Sequence, residues 1–266
     1  ILCLTERQKG ALRNPGKAIL ALPPDDQLRL LDCLIDCATN QTKKSSDRYL
    51  ISARHLLGSS KALDHFSQEI IDSFGIEVQN DDRLLYVITA GPSHPKSIIF
   101  IENPSTFTAF ARSTLVGENM AVCAYGYGLT FENFGARLRA GSVVPCPAFG
   151  GVPAPNLAEA LEKTPLFYWG DLDLEGLRIY ESMKKHFPKL KLSRAYELMA
   201  NCLREPRRSH PYGALSGKSG HKPPKGNDPE VAHLATLCKH RAVDQEAICD
   251  PWPGNLVIQP YIFEDS

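Results

Sequence analysis

The chain has 266 residues, with 30 Lys and Arg matched by 30 Asp and Glu, and 43% of its residues are hydrophobic. That is enough to bury a real core in one large or two modest domains, and the balance is that of a soluble globular protein. Zero net charge excludes a globally basic nucleic-acid coat, so any attraction for DNA must come from local patches.

From Thr5 to Phe74 the pattern is helical with short breaks. Pro23-Pro24-Asp25 opens a helix on which Leu28, Leu31, Leu34 and Ile35 share a face. Ser52 is placed to cap ARHLLG, Gly58-Ser59-Ser60 interrupts, and Gly75 ends the next helix. With the strand-like LLYVITAG behind them, these helices fit either a winged-helix module or a plain helical bundle, and residues 1–83 form a separate, smaller domain. From Leu84 short apolar runs alternate with helical patterns. Strands are expected near 84–89, 98–102, 120–125 and 166–170, and helices near 105–113, 130–138, 156–163 and 174–187. This alternation predicts an α/β domain over 84–266 with a mostly parallel sheet flanked by helices. The Pro/Gly-rich stretches Val143–Pro155 and Glu205–Asn227 are expected as loops. Asp228-Pro229-Glu230 is a good helix start, with the helix running to about Ile248 and NLVIQPYIF forming a terminal strand or tail.

Two of the strands end abruptly in acid. Ser97–Phe107 reads SIIFIENPSTF and Leu166–Tyr180 reads LFYWGDLDLEGLRIY. Unbroken apolar runs of this length are strands buried on both faces, and ligands bind outside the carboxyl ends of parallel strands. Neighbouring strands lie roughly 4.8 Å apart, so if these two are adjacent, Glu102, Asp171 and Asp173 converge. The two aspartates, two residues apart in extended chain, should project to one side. Three crowded carboxylates repel unless a cation intervenes, and the hard ion expected among them is Mg²⁺, or Mn²⁺ in its place.

A strand ending in Glu, a further α/β unit and a strand ending in Asp-x-Asp resembles the Toprim domain. IENPSTF followed by YWGDLDLEGLRIY is similar, more narrowly, to the C-terminal domain of the JetD/MksG nucleases of Wadjet anti-plasmid systems, relatives of the topoisomerase VI A subunit. SARHLLGSSKALD, Gly126, Gly128 and RAVDQEAI add to the likeness. The resemblance implies a metal-dependent DNA endonuclease that works as a homodimer beside an SMC-like ATPase complex. It offers Glu246, in the DQE of RAVDQEAI, as a second-metal ligand. Glu175 is either a fourth acid or simply the first-turn carboxylate that a helix dipole favours.

Arg204, Arg207, Arg208, Lys218, Lys222 and Lys225 face one acid, Glu205, between residues 204 and 225, a composition suited to a phosphate backbone. GALSGKS within that loop lacks the first glycine and the preceding strand of a P-loop and is no nucleotide site. Tyr49 is the upstream tyrosine that a topoisomerase-like transesterase would use, although the paired-tyrosine context is missing. A non-catalytic DNA-binding or assembly subunit is the remaining alternative. Eight cysteines without a Cys-x-x-Cys pair are expected as reduced thiols in a cytoplasm. No signal peptide is visible and no apolar run approaches the roughly 20 residues of a membrane span; the opening at Ile1 leaves a preceding targeting segment open.

Overall fold

The computed structural model describes residues 4–40, 47–78, 84–124, 131–149, 152, 156–211, 224–226 and 228–263. The chain divides into two compact units, Ile1–Arg83 and Leu84–Ser266. The described part of the first is helical: α1 (Glu6–Ala11), α2 (Lys17–Leu20), α3 (Pro24–Asn40), α4 (Arg48–His55) and α5 (Gln68–Ser73). Thr5 and Gln8 form a reciprocal capping box on α1, and Asp47 caps α4 by accepting from the Leu50 N–H at 2.8 Å. Ser52, expected as a cap, instead lies buried inside α4; its hydroxyl donates to Ser59 O (2.6 Å) and accepts from the Leu63 N–H (3.2 Å). On α3 the fold buries Leu30, Leu34 and Cys37, while Leu28 is exposed and Leu31 and Ile35 are only half-buried. Leu31 and Ile35 pack against the same core as Leu34, so of the expected face only Leu28 is turned out to solvent. LLYVITAG supplies no wing: it is a strand of the second unit.

That unit is built on a six-stranded sheet in the order β4-β1-β3-β2-β5-β6. Its strands are β1 (Leu85–Ala90), β2 (Ile98–Ile101), β3 (Met120–Ala124), β4 (Val143–Pro147), β5 (Leu166–Trp169) and β6 (Leu190–Leu192). Only β1 and β3 pair antiparallel; the other neighbours are parallel. β2 and β5 are buried at every position, which is why IIFI and LFYW are unbroken apolar runs rather than alternating ones. The helices α6 (Pro104–Ala111), α7 (Phe134–Arg139), α8 (Leu157–Lys163), α9 (Leu174–Lys184), α10 (Ala195–Leu203) and α11 (Pro229–Leu237) accompany the sheet.

β4 occupies part of a stretch expected to be loop. Its prolines are tolerated because the strand lies at the sheet edge, where a missing N–H costs no ladder bond. The opposite edge is covered by the C-terminal segment: the Tyr261 N–H donates to Leu192 O (2.8 Å) and Ser193 bridges to Pro260. The helix expected up to Ile248 stops at Leu237. Beyond it β8 (Arg241–Ala242) pairs with β7 (His210–Pro211), and Val243 bridges to Leu172 before a 3₁₀ turn at Gln245–Ile248. Extended backbone is needed there to meet the end of β5, and tertiary pairing overrides the local helical pattern. None of the described cysteines forms a disulfide, and no helix among the described residues is long and apolar enough to cross a membrane.

Candidate active site

β2 and β5 are parallel neighbours in the register Ile101 to Trp169, so both strands end at one point of the sheet edge. Glu102 leaves β2 with its N–H donating to Trp169 O (3.1 Å), while Gly170 and Asp171 leave β5. Two glycines make the crowding possible. A Cβ on Gly170 would lie 2.5 Å from both Glu102 Oε2 and the Tyr168 hydroxyl. The space it leaves lets Tyr168 donate to Glu102 Oε2 at 3.0 Å. A Cβ on Gly176, in the first turn of α9, would lie 2.4 Å from the backbone oxygen of Asp171. Glycine thus brings the helix start close against the aspartate.

The 3₁₀ segment after β8 completes the arrangement. Asp171 Oδ1 accepts from the Gln245 N–H (2.9 Å) and from Asn103 Nδ2 (2.9 Å). Asn103 Nδ2 also donates to Glu246 Oε2 (3.3 Å), which brings that distant acid to the strand ends. Gln245 works from both sides of its amide: Oε1 accepts from the Asn103 N–H (2.9 Å) and Nε2 donates to Trp169 O (2.7 Å). Sequence reasoning missed Asn103 and Gln245. Their only signal is position, inside IENPSTF and RAVDQEAI beside the acids.

The two aspartates lie beyond the end of β5. β5 ends at Trp169, Leu172 is tied to Val243, and Asp173 turns inward, where its Oδ1 accepts from the Gly176 N–H (2.6 Å) and caps α9. Asp173 is buried, Asp171 and Glu102 half-buried, Glu246 exposed. Glu175 forms an ion pair with Arg178 on its own helix. Among the described residues, no three His, Cys, Asp or Glu side chains stand together as a ready metal cage. Asp173 Oδ1 caps the helix and Glu102 Oε2 accepts from Tyr168, which occupies one oxygen of each carboxylate.

The electrostatics are those of crowded acid. Burial, then Glu102, push the Asp171 carboxyl up to about 8; Asp244 and Asp173 add to this, and the Gln245 N–H opposes it. Burial and then Glu102 likewise push the Cys123 thiol up to about 12 and hold the Tyr168 hydroxyl far above its ordinary range.

Of the basic residues, Arg204, Arg207 and Arg208 are exposed just beyond α10. Arg208 donates to Ala247 O (3.0 Å), which fastens this stretch to the segment carrying Glu246. Lys225 is exposed at the far side of the loop, where its backbone N–H donates to Glu181 Oε2 (3.0 Å). Lys218, Lys222, most of Val143–Pro155 beyond Phe149, Gly126, Gly128 and GALSGKS lie outside the described residues. Tyr49 lies half-buried on α4 in the first unit.

Comparison with curated proteins gives no match. Residues 74–249 match the family described as "Wadjet protein JetD, C-terminal", a span that holds both strand ends, α9 and the Gln245-Glu246 segment. The match covers more than half of the chain, which therefore belongs to the JetD family.

Proposed function

We propose that this chain is the nuclease component of a Wadjet plasmid-defence system, a Toprim-type endonuclease that hydrolyses DNA with Mg²⁺ or Mn²⁺ held by Glu102, Asp171 and Asp173. The observation that carries this reading is the meeting of Glu102 and Asp171 at the ends of adjacent parallel strands, with Glu246 joined to them through Asn103. The donors fit the ion in kind, being carboxylate oxygens throughout. When bound, such an ion stabilises charge on the phosphoryl oxygens and makes water a better nucleophile. Asn103 and Gln245 orient the Asp171 carboxylate, as outer-shell hydrogen bonds do around metal ligands. Glu102, steadied by Tyr168, takes the proton of the attacking water. By family, the chain acts with an SMC-like ATPase complex that presents DNA, and as a homodimer it cuts both strands. Glu102→Gln keeps an acceptor for Tyr168 but removes the charge. It is expected to retain the wild-type circular dichroism spectrum and lose Mn²⁺-dependent nicking of supercoiled plasmid; full nicking by this variant would remove Glu102 from the site.

The basic stretch Arg204, Arg207, Arg208, Lys218, Lys222 and Lys225 binds the phosphate backbone in this reading. Replacing Arg204, Arg207 and Arg208 by Gln is expected to weaken DNA binding whatever its sequence. The slope of log K against log salt should flatten by about 0.9 for each phosphate that is no longer neutralised. An unaltered slope would return these side chains to a merely solvated surface.

Water rather than tyrosine is the nucleophile. Tyr49→Phe should therefore keep most of the cleavage, and wild-type products should run normally on a gel without protease treatment. Protein–DNA adducts that vanish in Tyr49→Phe would instead make the enzyme a transesterase.

A further inference from the structure

The second unit contains a cavity that has no part in the carboxylate site. It opens at the other end of the strands from the carboxylates, where β5 and β6 begin, and has a volume of about 640 Å³, within the range of small-molecule sites. Leu138, Leu161 and Phe187 give it apolar walls; Arg139, His186 and Lys189 stand at its rim. Glu162 is the one acid among the described residues that line it.

The rim has a specific construction. Arg139 Nη2 donates to His186 Nδ1 at 2.7 Å, so the guanidinium rests on an imidazole lone pair instead of a carboxylate. Burial, then Arg139 and Lys185, hold His186 below its usual range, so the pair carries the arginine charge on a neutral ring. The seat of the imidazole is built into α7. A Cβ on Gly135 would meet His186 Cβ at 2.3 Å and Cγ at 2.4 Å, so the ring can lie there only over a glycine. A glycine inside a helix costs about 1 kcal/mol relative to alanine, and here it fixes His186 beside Arg139.

We propose that this cavity binds a nucleoside monophosphate, with the phosphate on Arg139, His186 and Lys189 and the base against Phe187 and the leucine walls. The guanidinium fork matches phosphate oxygens in pairs, and Arg139 and Lys189 against the single acid Glu162 leave an excess positive charge in the lining for a phosphate to match. An acidic peptide would meet the same cations with carboxylates of one charge each, where a phosphate monoester carries up to about two charges and three acceptor oxygens. The cavity and the carboxylates lie at opposite ends of the strands, so this site stands apart from the nuclease reading.

The test is calorimetric titration of the whole chain with AMP and, in parallel, with inorganic phosphate. AMP should saturate one site at least about ten-fold more tightly than phosphate, a difference of about 1.4 kcal/mol. Arg139→Gln and Lys189→Gln, both at exposed positions, should each weaken AMP by a similar factor while leaving plasmid cleavage unchanged. The His186 ring resonances should shift on AMP addition in the wild type. Absence of saturation, equal affinity for phosphate, undiminished binding by Arg139→Gln, or tighter binding of a Glu-Phe-Glu peptide than of AMP would each overturn the proposal.

Discussion

Asp171→Asn is expected to abolish cleavage and, in the same protein, to raise the melting temperature of the metal-free form at pH 8. The loss of activity should reach at least about 10²-fold, the scale seen when one preorganised electrostatic group is removed from an active site. The gain in stability follows from linkage. The Asp171 carboxyl is raised to about 8 in the folded chain, mainly by burial and by Glu102. Between the unfolded carboxylate range near pH 4 and pH 8, the folded state therefore holds a proton that the unfolded state has released. Its contribution is complete below the unfolded value and is lost as pH rises through about 8, at up to about 1.4 kcal/mol per pH unit. Asparagine carries no charge at any of these pH values and still presents an oxygen to the Gln245 N–H and Asn103. The variant should thus melt several degrees higher at pH 8 and show a flatter pH dependence, and Mn²⁺ should stabilise the wild type only. A variant that melts lower at pH 8, with an undiminished pH slope, would mean that the Asp171 charge is already compensated.

Gly176→Ala is expected to have the next largest effect, out of proportion to one methyl group. In open helix the exchange stabilises by roughly 1 kcal/mol. Here the new Cβ would lie 2.4 Å from the Asp171 backbone oxygen, with the Asp171 carbonyl carbon at 3.3 Å, so backbone has to move. Overpacking of this kind costs about 1–3 kcal/mol and reverses the sign. The displaced group is the turn that aims Asp171, and an error of about 1 Å in a reacting constellation can cost about 10²-fold in rate. Gly10→Ala on α1, where nothing lies within 4 Å of the added carbon, is the control and should be neutral or mildly stabilising. Equal melting shifts for the two variants, with cleavage intact in Gly176→Ala, would show that α9 does not press on the aspartate.

The strand ends were legible because burial on both faces writes itself into sequence: IIFI and LFYW have no polar position, and the first polar residues after them mark the sheet edge. Which strands are neighbours was not legible from the residues: the adjacency of β2 and β5 stayed a condition that the register of Ile101 with Trp169 then met. Asp173 was ambiguous in principle, since an aspartate between strand and helix reads equally as a ligand and as an N-cap; its Oδ1 caps α9, and the metal reading calls on the other oxygen. Asn103 and Gln245 escaped because neutral amides give no charge signal and the backbone groups they serve are remote in sequence. β4 was hidden by its prolines, which weigh against a strand everywhere except at an edge. The end of α11 was set by the bridge from Val243 to Leu172, a contact that no local pattern announces.

Calorimetric titration of Mn²⁺ into the whole chain tests the central claim most directly, because it requires neither DNA nor a partner complex. Saturable binding is expected in the wild type and should disappear in the double variant Glu102→Gln, Asp171→Asn, with both proteins giving the same circular dichroism spectrum. Saturable Mn²⁺ binding of undiminished affinity in that double variant, or none in the wild type, would contradict the proposed metal-dependent nuclease.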